Sequence, residues 1–196
     1  MKKISLALLF SSILLFSFVS IQTSVYKVDP KKSTLVWTGK KVTGEHKGTI
    51  PLSSGTINVE DKKIKSGTFT LDVAALTVTD IADKDGNAKL VGHLKNDDFF
   101  STAKYPTATY VISSVESKGG DNYTVNGNLT IKGITNPVSF PAVIKTDAKT
   151  LTATGVITVN RTKYDIKFKS ASFFENLGDK AIYDDFTLEV NLTAAI

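Results

Sequence analysis

Apolar and polar residues alternate along one stretch of the chain after another, and this period of two leaves few folds open. Phe69, Leu71 and Val73 alternate with Thr68, Thr70 and Asp72. Tyr110 and Ile112 alternate with Thr109, Val111 and Ser113. The same pattern runs through Tyr123 to Ile131, Val138 to Ile144, Leu151 to Val159 and Phe186 to Leu192, and Thr34 to Thr38 is β-branched and aromatic. Successive side chains of an extended strand point to opposite faces, so these are strands with one buried face. Turn residues separate them at Ser53-Ser54-Gly55, Gly119 to Asn122, Lys132-Gly133 and Thr146 to Lys149. The reading gives eight or nine antiparallel strands. Their apolar faces must pack sheet on sheet or close into a barrel, and a barrel of about eight strands is either filled by side chains or holds one small ligand. The fold expected is all-β, a single eight-stranded antiparallel barrel with short helical lid segments.

Two segments break the alternation. Thr79 to Ser101 and Ser172 to Asp185 each carry a Phe-Phe pair beside acidic residues. Both read as loops with a helical turn or two, placed as lids at open barrel ends. Leu90, Leu94 and Phe99 can share one apolar helical edge.

The first residues belong to a different class. Lys2 and Lys3 precede an uncharged apolar run from Ile4 to Ile21, and the chain turns polar at Gln22. This is the layout of a secretory signal peptide, with a membrane anchor as the alternative. No Ala-x-Ala marks the cut, so cleavage is expected between residues 20 and 25. The division is then 1–24 as a cleaved leader and 25–196 as one domain of about 172 residues, periplasmic or secreted. Removing Lys2 and Lys3 lowers the net charge from +5 to +3. No cluster of lysine or arginine is interleaved with aromatics, so no nucleic-acid partner is expected. The chain has no cysteine, which excludes a disulfide scaffold, thiol catalysis and cysteine–zinc sites.

The remaining chemistry is sparse. The only histidines are His46 and His93. His93 and Asp97 have i,i+4 spacing, which would let a carboxylate orient an imidazole, but no Gly-x-Ser-x-Gly accompanies them. No catalytic residue is assigned. Asp80, Asp83, Asp85 and Gly86 fall short of a calcium loop: with Gly86 sixth, the first and twelfth positions are Ile81 and Gly92, where acidic ligands are needed. No metal site is assigned. Trp37 and Arg161 are the single tryptophan and single arginine. One arginine against 23 lysines marks a place for a planar guanidinium, against a ring, a carboxylate or a ligand headgroup.

Four ordered stretches carry a family resemblance. They are Tyr26 to Trp37 (YKVDPKKSTLVW), Gly92 to Phe100 (GHLKNDDFF) followed by Tyr105-Pro106, Gly127 to Pro137 (GNLTIKGITNP), and Asn160 to Ile166 (NRTKYDI). Together they resemble the YceI-like proteins over the whole chain after the leader. The resemblance implies an exported, lipocalin-like barrel whose apolar channel holds a polyisoprenoid chain, such as an isoprenoid quinone, without catalysis or cofactor. The chain departs from the family pattern in three places. Val91-Gly92 replaces an Arg-Asp pair, Asn160 stands where an acidic residue is frequent, and Asp165 where glycine is.

The ligand contacts expected are Trp37, Phe69, Leu94, Phe99, Phe100, Tyr110, Phe140, Phe168, Phe173 and Phe174, with His93 and Arg161 near a headgroup. Alternation alone does not separate a lined interior from a filled one, so each apolar residue fits an ordinary core equally well. The readings are a prenyl-lipid carrier with transient membrane-surface contact, a ligand-free interaction module that dimerises through an outer apolar strip, and an enzyme on a lipophilic substrate.

Overall fold

The computed structural model describes residues 22–196. The expected leader falls almost wholly outside them. Ten strand segments make up the sheet: β1 (Thr23–Val28), β2 (Thr34–Lys41), β3 (Gly44–Thr49), β4 (Leu52–Glu60), β5 (Lys63–Asp72), β6 (Thr107–Gly119), β7 (Asn122–Ile131), β8 (Ile134–Thr146), β9 (Thr150–Asn160) and β10 (Ile182–Ala195). One helix, α1 (Lys84–Lys95), lies between β5 and β6.

Ten segments give eight walls. β1 and β2 both pair with β10, and they pair in turn with β4 and β3. Each couple is therefore one long strand with an interruption. The first break, Asp29 to Ser33, is tied locally. Lys31 N–H donates to the Asp29 carboxylate at 3.0 Å, Ser33 Oγ donates to Asp29 O at 2.8 Å, and Thr193 N–H donates to Ser33 Oγ at 3.1 Å. The second break contains Pro51, which has no N–H for a ladder. Every pairing is antiparallel, neighbours in space follow in sequence, and the β1–β10 pair closes the ring. The molecule is the expected eight-stranded antiparallel barrel, and closure removes its free edges.

The inward residues form one core, including Ile57, Val59, Leu71, Ile112, Val125, Leu129, Leu151 and Leu188. One end of the barrel is finished by the hairpins β4–β5, β6–β7 and β8–β9. There Tyr26 Oη donates to Asp147 O at 3.1 Å. The other end is covered by residues 73–106 and 161–181.

The first cover holds more helix than the sequence promised. α1 has twelve residues where a turn or two was expected. Asp83 caps it, its carboxylate accepting from Gly86 N–H at 2.7 Å. Asn87 Nδ2 donates to Val78 O at 2.9 Å and Ile81 O at 3.1 Å, which holds the helix against the preceding chain. Leu94 is its buried residue. Gly86, Asn87 and Gly92 are weak helix formers, so the pattern looked like loop; capping and packing override propensity here.

Candidate functional site

Two cavities lie along the barrel. The deeper one, about 90 Å³, is lined by inward residues that include Leu35, Phe69, Tyr110, Phe140, Ile157 and Leu188. The second, about 70 Å³, lies under the covers and is lined by Trp37, Ile50, Leu94, Phe99, Phe100, Arg161, Ile166 and Phe186, among others. β2 supplies Leu35 to the first and Trp37 to the second, and β10 supplies Leu188 and Phe186 in the same way. The cavities therefore follow one another along the same two strands. Among the described residues, Arg161 is the only lysine, arginine or carboxylate lining either of them.

Local structure explains the shape. Tyr110 lies over Gly127, where an added Cβ would sit 2.5 Å from the ring. Its hydroxyl donates to Val138 O at 3.0 Å, and burial pushes its pKa up to about 12. The Tyr110 and Phe140 rings pack at 5.8 Å. Trp37 Nε1–H donates to Thr77 O at 2.9 Å, which pins the first cover to the barrel wall. Gly48 leaves room for that bond, since a Cβ there would lie 1.8 Å from Thr77 O. Neither glycine's role carries a signal in the sequence, because both fall on ordinary strand positions.

Eight of the twelve expected contacts line the cavities: Phe69, Tyr110 and Phe140 the deeper one, and Trp37, Leu94, Phe99, Phe100 and Arg161 the other. The remaining four lie elsewhere. His93 lines neither cavity and is partly exposed, edge-on to Phe99 at 5.0 Å and to Phe168 at 4.7 Å. Its partner is Asp98, at 3.0 Å from Nε2, and not Asp97. The helix stops at Lys95, so Asp97 leaves the helical spacing, while the turn after Asn96 brings Asp98 back. Phe168 packs on His93 and Phe99 behind the cavity wall. Phe173 and Phe174 are half exposed on the second cover, away from both cavities, with Lys167 over the Phe173 ring. The two Phe-Phe pairs thus differ, and only Phe99-Phe100 faces inward.

Arg161 is committed to the protein. It is 4% exposed. Nε donates to Tyr183 O at 3.0 Å, Nη1 to Ile166 O at 2.8 Å and Nη2 to Ile182 O at 2.9 Å. Asp184 stands 3.6 Å from Nη2. Burial lowers the guanidinium pKa, and the Asp184 charge opposes that. The planar fork clamps the second cover to the start of β10, a task that lysine's single ammonium cannot copy. Among the described residues the cavity linings pair no nucleophile with a base, and two of the three aspartates weighed for calcium serve other ends. Asp83 caps α1, and Asp80 accepts from Lys47 N–H and pairs with His46 at 2.8 Å.

Comparison with known proteins fits this architecture. The YceI-like domain matches residues 26–194. Protein YceI of Escherichia coli O17:K52:H18 is 33% identical over 149 residues, 72% of each chain. Other relatives align over less, and the match covers 44% of the UPF0312 protein of Shewanella oneidensis. Among solved structures, Burkholderia cenocepacia BcnA superposes with a TM-score of 0.67 at 26% identity, over 85% of this chain and 98% of that one. A polyisoprenoid-binding domain from Saccharophagus degradans superposes at 0.61 with 14% identity, over 87% and 97%. A barrel of this topology, matched from its first strand to its last, places the chain in the YceI-like family.

Proposed function

We propose that the protein binds an apolar isoprenoid lipid or quinone inside the barrel, outside the cytoplasm, and carries or sequesters it without catalysis. The observation that carries this reading is the run of apolar side chains along β2 and β10 that lines two successive cavities, beside which the one charged lining residue, Arg161, is already bonded to backbone. The Saccharophagus relative, described as polyisoprenoid-binding, supports the ligand class. The apolar run from Ile4 to Ile21, led by Lys2 and Lys3, supports export.

The physics suits a prenyl tail. Each buried methylene-sized unit contributes about 0.8 kcal/mol, so a long chain binds without charged contacts. Each cavity is smaller than the roughly 150 Å³ that accommodates one benzene. A prenyl tail therefore joins and widens them by moving side chains, with Phe69, Phe99, Phe100 and Phe140 the large groups able to turn.

The test is mass spectrometry of an organic extract. The protein is expressed with its own leader and purified from the periplasm without detergent. A prenyl species at one per chain is the expected result. An extract with no apolar molecule, together with no uptake of added prenyl quinone, sinks the reading.

A further inference from the structure

We infer that ligand passes into the barrel sideways, through a window between β8 and β9 gated by Phe140; this rests on the binding reading above. β8 and β9 pair only from Ala142 opposite Gly155 to Thr146 opposite Leu151. Toward the covered end the two strands run on without a ladder. They are tied again where Asn136 Nδ2 donates to Lys163 O at 3.0 Å. The stretch of β8 unpaired toward β9 is Asn136 to Pro141, roughly 17 Å of strand at about 3.4 Å per residue.

The ladder stops for a chemical reason. β7 and β8 meet in a two-residue hairpin, so Ile131 and Ile134 form a hydrogen-bonded pair and such pairs recur at every second residue. The bond from Ile144 N–H to Asp121 O, 2.9 Å, confirms that register at the far end. Even-numbered residues of β8 thus bond to β7, and odd-numbered ones face β9. Asp147 N–H bonding to Thr150 O at 2.9 Å agrees. Continuing the β8–β9 register, the next three rungs fall at Pro141, Ser139 and Pro137, and two of these three residues are prolines. Both prolines turn their missing N–H toward β9, so the first rung beyond Val143 has no β8 donor.

The interior comes close to the surface at the edge of this window. At the last paired rungs Ala142, Thr154 and Gly155, with Val190 of β10, border the deeper cavity and also a hollow on the outer surface, which Pro141 lines as well, so the wall there is one backbone thick. Gly155 adds no side chain to it. The Phe140 ring lies against that bare position, 3.3 Å from where a Cβ would be. One rotation of Phe140 about its side-chain bonds therefore clears the opening. Other routes are tied or shallow. The covered end is pinned by the Trp37 and Arg161 bonds. At the hairpin end β5 and β6 part beyond Gly67 opposite Ile112, but that gap lies at the rim, with Ile64 its cavity-lining residue.

The chain has no cysteine, so paired thiols placed in it are unique. Ser139→Cys with Thr158→Cys, joined by a short thiol cross-linker, clamps the window from outside. Ser66→Cys with Ser113→Cys clamps the rim. Stopped-flow fluorescence then follows uptake and release of a dansyl-labelled farnesyl probe by the full-length, processed protein. The window clamp is expected to slow both rates roughly tenfold or more while Kd stays the same, and the rim clamp to change neither. Phe140→Ala, which needs no cross-link, is expected to quicken both. Unchanged rates in the clamped window, or slowing by the rim clamp instead, overturn the window. Failure of every form to take up probe overturns the binding reading itself, and is told apart by the wild-type trace alone.

Discussion

Arg161 shows how much one side chain settles. Three of its five N–H donors reach carbonyls on two elements, so the second cover and β10 are fixed through a single group. Arg161→Lys keeps the charge and loses the fork. Stability in denaturant titration is expected to fall by about 2–4 kcal/mol; a fall below about 0.5 kcal/mol would show that water or neighbours replace those bonds. Tyr164 behaves oppositely. Its hydroxyl is buried with no hydrogen-bond partner among the described residues, and burial pushes its pKa up to about 12. Tyr164→Phe removes an unsatisfied group, so stability is expected to rise by about 1 kcal/mol, and a comparable loss would argue against an orphaned hydroxyl. Asp184 brings pH in. Burial works to raise its pKa, but bonds from Ser170 and Ser172 and the Arg161 charge outweigh it and hold the value below the ordinary 3.8. A lowered folded pKa contributes stability in full above 3.8, and that contribution is lost as pH falls through the folded value. Asp184→Asn should therefore shallow the acid limb of a stability–pH curve and leave its slope at neutral pH unchanged. Asp165 explains one departure from the family pattern. It sits at φ +58°, where glycine is unstrained and aspartate is tolerated.

At the scale of elements, the strands were legible because burial imposes a period of two, and every alternating run identified in the sequence lies on a strand, with Val73 alone one residue past its end. The helix was not. Its capping residue, Asp83, stands between Asp80 and Asp85, and the three read together as an incomplete calcium loop. The two Phe-Phe pairs were indistinguishable for a similar reason. Each sits beside acidic residues, and only the path of the chain decides that Phe99 turns in after α1 while Phe173 and Phe174 stay out. The proline sites in β8 were visible as residues, yet the side they face depends on hairpin register, which needs the paired strands. The contact between the first cover and the barrel was equally hidden, since it joins Trp37 to a backbone carbonyl 40 residues away. It is open to a direct check. Gly48→Ala places a Cβ 1.8 Å from Thr77 O and 2.7 Å from Trp37 Nε1, so the cover must shift. A loss of about 1–3 kcal/mol is expected. Trp37 is the only tryptophan, so its emission reports the event without labelling and should move to longer wavelength. Unchanged emission would mean that the strand, and not the cover, absorbs the added methyl.

For the whole molecule, the question is what kind of force holds a ligand in a closed barrel. The cavities lie on an apolar core, and the one charge beside them is neutralised by three carbonyls and a carboxylate. Salt screens interactions between exposed charges over about 8 Å at physiological ionic strength. It has little to act on here. Binding of a prenyl quinone, measured by titration calorimetry, should therefore change by less than about twofold between 50 mM and 500 mM salt. The same should hold between about pH 5 and 9, since the tyrosine lining the deeper cavity has its pKa pushed up to about 12. Burial of apolar surface should appear instead as a negative heat-capacity change on binding. A ligand that binds only the folded barrel should raise the unfolding midpoint, with about 2.7 kcal/mol of added stability at a hundredfold excess over Kd. An affinity that falls steeply with salt would point to an anionic headgroup held at the barrel surface. The lysines of the second cover, Lys167 beside the exposed Phe173 among them, would then become the place to look, and the interior would no longer explain the binding.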